Sequence, residues 1–246
     1  MKYILSFTLL LFYAITLQAQ KLDGSWKLTH KNGKMVHDTE YIRIYQDGYF
    51  TFGGKKTADN SFTDAGGGPY TIEGDQYTEI PDFYTAAPEK TGKKQQYFIA
   101  VTKQQIVLKQ AGGHTETWTR ISEEKDQLTG NWVITGRADP KGKMNEMTPG
   151  DRRTIKILSG GRFQWVAFNS ATKKFHGTGG GTYTAEDGKY TEHITFFSRD
   201  KDRVGASLGF HYDVRDGKWY HSGKSSAGKP ISEIWSRYKD AYQAKK

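Results

Sequence analysis

Leu22-Asp23-Gly24-Ser25-Trp26 returns later in the chain as Leu128-Thr129-Gly130-Asn131-Trp132. Four further blocks recur in the same order. Asp47-Gly48-Tyr49-Phe50 is answered by Gly160-Gly161-Arg162-Phe163, and Gly66-Gly67-Gly68-Pro69-Tyr70-Thr71 by Gly179-Gly180-Gly181-Thr182-Tyr183-Thr184. Tyr77-Thr78-Glu79 is answered by Tyr190-Thr191-Glu192, and Glu116-Thr117-Trp118-Thr119-Arg120 by Glu233-Ile234-Trp235-Ser236-Arg237. Ordered self-similarity of this kind marks a duplicated structural unit. Each copy runs from a Gly-x-Trp segment to a Trp-x-Arg segment. The chain therefore divides into a first copy at 20–121, a charged linker at 122–127, a second copy at 128–238 and a Lys-rich tail at 239–246.

Within each copy, strand-like runs alternate with turn residues. In the second copy the pattern predicts strands at 131–136, 152–158, 162–168, 181–186, 189–197, 205–213, 218–223 and 231–238. Ser159-Gly160-Gly161, Glu186-Asp187-Gly188 and Asp216-Gly217 supply turns that accept positive φ. No stretch carries a convincing 3.6-residue apolar period, and the tail after Tyr238 is expected to form a short helical turn or to fray. The expected fold class is all-β, with two tandem small antiparallel barrels. About eight strands per copy can close on themselves and leave no exposed edge.

Residues 1–19 read as a secretory signal peptide. Met1-Lys2-Tyr3 is a positive start, Ile4 to Leu17 is mostly apolar, and Ala19 offers a small residue at the cut. The apolar run is shorter than the ~20 residues needed to span hydrocarbon, and no later segment is apolar enough to do so. The chain contains no Cys. A lipid anchor at the mature start, disulfides, thiolate metal sites and Cys nucleophiles are therefore not expected. The formal charge of +9 is scattered as single and paired lysines, which reads as a solvated surface rather than a nucleic-acid interface. The expected setting is the periplasm or the exterior, with no membrane span.

The Gly-x-Trp opening and the Arg of the closing strand resemble the lipocalin or calycin superfamily. That resemblance implies a first-strand Trp packed against a last-strand Arg across the closed end of the barrel. On this chain it pairs Trp26 with Arg120 and Trp132 with Arg237, a favourable cation–π contact. The second copy resembles, more closely, a lipocalin-like domain of unknown function from secreted Bacteroidota proteins. The resembling residues are Gly160 to Trp165, Phe175 to Tyr183, Tyr190-Thr191-Glu192 and Ile231 to Trp235. The first copy lacks counterparts of Trp165 and His176 at the matching places. The resemblance implies a fold and an exported setting, and carries no reaction.

Alternate residues of a strand share a face, so Glu233, Trp235 and Arg237 are expected to point inward together, with Glu233 and Arg237 forming a buried pair. Glu116 and Arg120 are expected to do the same in the first copy. Trp165, Tyr190, Glu192, His211 and Trp219 are the expected lining of a pocket in the second barrel, because pockets are mainly aromatic with a few placed polar groups. The leading expectation is an exported protein that binds a small lipid-like or carbohydrate ligand there, without catalysis or cofactor. A second reading is an enzyme acting on glycans or polar metabolites through Glu192 with His211 or His221. In a third, both barrels are filled and serve as a scaffold. His211 and His221 flank the Asp216-Gly217 turn and could join Glu192 on a metal, but no tight ligand spacing supports this, and no metal is assigned. The glycine triplets are not followed by Lys-Ser/Thr or a helix, so they are expected to let backbone pass close to neighbouring strands rather than cradle phosphate.

Overall fold

The computed structural model describes residues 22–225 and 227–243. The segment read as a signal peptide lies outside the described residues, as does the end of the tail. The first copy forms β1 (Gly24–Lys31), β2 (Thr39–Gln46), β3 (Tyr49–Lys56), β4 (Phe62–Glu73), β5 (Gln76–Glu79), β6 (Gln95–Val101), β7 (Gln105–Lys109) and β8 (Thr115–Ser122). The second forms β9 (Gly130–Ala138), β10 (Arg152–Ser159), β11 (Arg162–Asn169), β12 (Lys174–Glu186), β13 (Lys189–Phe197), β14 (Ser207–Arg215), β15 (Lys218–Lys224) and β16 (Pro230–Arg237), followed by α1 (Tyr238–Gln243). Every neighbouring pair is antiparallel, β1 also pairs with β8, and β9 also pairs with β16. The protein is thus two closed eight-stranded barrels in tandem.

One end of each barrel is sealed in the same way. The Arg120 guanidinium lies 3.9 Å from the Trp26 ring centroid, and that of Arg237 lies 3.8 Å from Trp132. Each indole donates to a leucine carbonyl four residues earlier, Leu22 at 2.9 Å and Leu128 at 2.8 Å. Each guanidinium donates to a neighbouring backbone carbonyl, Asp23 at 3.0 Å and Thr129 at 2.8 Å. The glycine two residues before each tryptophan has a reason. A Cβ on Gly130 would occupy the place of the Arg237 guanidinium, and one on Gly24 would stand 2.9 Å from that of Arg120.

The glycine triplets lie inside long strands, not at turns. β12 begins at Lys174 rather than near 181, because Gly179 to Gly181 pair with both neighbours. A Cβ on Gly181 would collide with the His193 carbonyl oxygen, and one on Gly68 with that of Ile80. Glycine is what lets these backbones approach so closely.

The barrels are packed on one another. Ile42, Ile44, Tyr49 and Phe83 of the first form a single buried cluster with Val133, Ile155, Ile157, Val166 and Phe168 of the second. Tyr238, Ala241 and Tyr242 of α1 cover its edge. The contact is nearly self-complementary. Ser25 donates to the Gly160 carbonyl (2.8 Å), while Asn131, its counterpart in the repeat, donates through its backbone to Asp47, the counterpart of Gly160 (3.0 Å). Ser159 and Gln46 occupy equivalent places in the two copies and bond each other at 2.8 Å. Such reciprocity is the mark of a pseudo-twofold, isologous interface.

Candidate functional site

β2 and β10 are buried on both faces. Their isoleucines turn outward into the contact between barrels, so the residue between each pair turns inward. That residue is basic in both copies: Ile42-Arg43-Ile44 and Ile155-Lys156-Ile157. In the first barrel, Arg43 is 4% exposed, forms an ion pair with Glu79 at 3.0 Å and donates to the Tyr45 hydroxyl at 3.0 Å. Tyr77 donates to the same Glu79 oxygen at 2.8 Å. Tyr45, Phe50, Phe52 and Trp118 surround the guanidinium at 4.8–5.6 Å. Burial alone would lower the Arg43 pKa, but the facing Tyr45, Glu79, Tyr77 and Glu116 groups hold it well above its usual value. Burial pushes Glu79 up, while Arg43 and the Tyr77 hydroxyl pull it back.

The second barrel repeats this device with a different cation. Lys156 reaches Glu192 at 2.6 Å, and Tyr190 donates to Glu192 at 2.8 Å. Phe163, Tyr190, Trp219 and Trp235 stand 5.3–5.8 Å from the ammonium. Each barrel therefore cages one of its own cations in aromatic rings and neutralises it with the Glu of the Tyr-Thr-Glu strand. Neither Arg43 nor Lys156 is among the site residues expected from the sequence. The signal was there: a basic residue between two isoleucines, at the same place in both copies.

The proposed second-barrel lining does not come together as one site. Tyr190 and Trp219 are fully buried core residues, and Glu192 is occupied by Lys156. Trp165 is half-buried and packs edge-on to Phe197 at 5.6 Å. His211 is exposed on the outer face. The two-residue turn pairs Tyr212 with His221 and His211 with Ser222. The two histidines therefore differ by one in register and point to opposite sides of the sheet. The arrangement of Glu192 with both His211 and His221 around a metal is thus not formed. Among the described residues no group of three or more His, Cys, Asp or Glu is placed to hold a metal.

His221 instead meets Glu233. Its Nδ1 lies 3.4 Å from Glu233, which also accepts from the Trp235 indole (3.1 Å) and Arg137 (2.8 Å). The Glu233–Arg237 and Glu116–Arg120 pairs expected from strand alternation are not formed. Four residues along a strand are about 13 Å, so each arginine is at the sealed end while each glutamate is at the opposite one. Burial lowers the His221 pKa and outweighs the pull of Glu233. Burial would raise Glu233, but the His221 hydrogen bond and the charges of Arg137 and Lys156 hold it below its usual value.

At the open end of the first barrel lies a cavity of about 50 Å³. Its walls include Tyr41, Tyr84, Tyr97 and Trp118, with Lys31, Asp64 and Glu116 at the rim and Arg43 and Glu79 behind. Arg43 Nε and Asp64 Oδ1 are buried without hydrogen-bond partners. Lys31 rests over the Tyr41 ring at 4.8 Å, and Lys90 over Tyr84 at 5.5 Å. A larger groove of about 680 Å³, which includes His211, Lys189 and Lys224, opens on the second barrel where the start of β14, paired with β13, has no partner on its β15 side. It is a surface feature, away from the seal and the caged lysine.

Residues 127–245 match the model of a family described as a domain of unknown function, DUF4488. The match takes in the whole second barrel and α1. No curated protein matches the chain.

Proposed function

We propose that this is an exported, non-catalytic binding protein of lipocalin-like type that takes a small polar group at the open mouth of its first barrel. The cavity beside Arg43, Asp64 and Glu116 carries this reading. Its opposite end is stopped by Trp26 and Arg120, so entry is from the mouth. Partnerless buried polar atoms are uncommon in folded proteins and call for an explanation, and the Asp64 carboxylate of the lining has one. A space of about 50 Å³ has room for a few heavy atoms, not for an acyl chain or a whole sugar ring. The ligand therefore inserts one end and leaves the rest in solvent. Export rests on the reading of residues 1–19.

For the second barrel the filled-scaffold reading is favoured, because Tyr190, Trp219 and Trp235 close around Lys156 where a ligand would sit. Catalysis through Glu192 finds no support in a carboxylate already bound to an ammonium at 2.6 Å. A crystal structure of protein recovered from an exporting host tests the assignment. Ligand density between Tyr84 and Trp118 is the expected result. Density confined to the interior of the second barrel, or to the His211 groove, would overturn it.

A further inference from the structure

Resting on that reading, we infer that the first-barrel mouth selects an ammonium group: the end of a small primary or methylated amine. The rings and carboxylates that line it decide the sign. Arg43 and Glu79 neutralise each other at 3.0 Å. That leaves two carboxylates in the lining, Asp64 and Glu116, facing two lysines, Lys31 of the lining and Lys90 over Tyr84. The walls between them are aromatic, and ring faces attract cations. The protein already demonstrates this attraction with its own side chains, since two lysine ammonium groups sit over two rim tyrosines. Lys31 thus stands where an ammonium ligand would compete for the Tyr41 face. Glu116 is 23% exposed: one oxygen accepts from the Trp118 indole at 3.1 Å, and the other stands 3.9 Å from the exposed His114 ring, which an incoming N–H donor would displace.

The indole N–H of Trp118 makes the site observable. The chain has six tryptophans, and nitrogen–proton correlation spectra resolve indole N–H groups as separate signals. Titration with butylammonium should move the Trp118 signal and leave Trp26 and Trp132, at the sealed ends, in place. Glu116→Gln and Asp64→Asn should each weaken the response about tenfold, the usual effect of removing one charge-assisted hydrogen bond. Lys31→Ala should tighten it about twofold by removing a like charge and a competitor. Unmoved Trp26 and Trp132 signals in the variants report an intact fold, and the two carboxylate variants check one another.

A response to acetate instead, weakened by Lys31→Ala, overturns the ammonium assignment and leaves the mouth as the site. Movement of Trp165 or Trp235 in place of Trp118 puts the site in the second barrel and overturns both readings. No movement of any indole with either probe does the same.

Discussion

Lys156 and Glu192 show how much one buried pair governs. Both are nearly inaccessible, so removing one partner leaves a charge that neither water nor protein neutralises. Lys156→Met is expected to cost about 3–5 kcal/mol of stability in urea unfolding. Adding Glu192→Leu should recover most of that loss, since replacing both members of a buried pair by apolar groups is often neutral. A double variant no better than the single one would mean that the aromatic cage requires its cation. His221 gives a pH signature. Its pKa is depressed in the folded protein, so on acidification the unfolded chain takes up a proton near pH 6.5 that the folded chain still refuses. Its effect on stability is absent well above that pH, and the destabilisation grows as pH falls toward the folded pKa. His221→Leu, which installs the residue found at the matching place, Leu108, should flatten the dependence of melting temperature on pH below about 6.5. An unchanged slope would assign it to other groups.

Among the elements, β12 is the most tightly constrained. Gly181→Ala should destabilise the protein severely or prevent folding, because the His193 carbonyl already occupies the space. Gly112→Ala meets nothing within 4 Å and should change the melting temperature little. Comparable effects would mean that the β12–β13 backbone relaxes easily. Strands and turns were legible in the sequence because alternation and Asp-Gly or Gly-Gly turns are local signals. A glycine triplet looks like a breaker until a facing backbone explains it, so β12 begins seven residues before the strand that alternation predicts. The both-face burial of β2 and β10 is equally visible, as apolar runs interrupted once by a basic residue, but the carboxylates and histidines are the more conspicuous chemistry. Their placement is not legible for one reason: each side chain's direction depends on hairpin register. A single step in register separates His211 from His221. The cavity beside Arg43 had no local signal, since it is what remains between strands far apart in sequence.

At the scale of the molecule, the two barrels share one buried cluster, so they should unfold together. Calorimetry is expected to give a single transition whose van't Hoff and calorimetric enthalpies agree. Ile157→Asp, which puts a charge into that cluster, should split it in two. Two transitions in the unaltered chain would show the barrels to be independent. The near-symmetry of this contact also bears on the connection between the copies. The segment 123–127 is exposed, and each half reaches across with its own version of the same bonds. A peptide cut after Lys125 should therefore yield two pieces that still migrate as one particle in native conditions and part only in denaturant. The chain would then behave as a fused dimer, in which covalent continuity sets stoichiometry while the surfaces supply the adhesion.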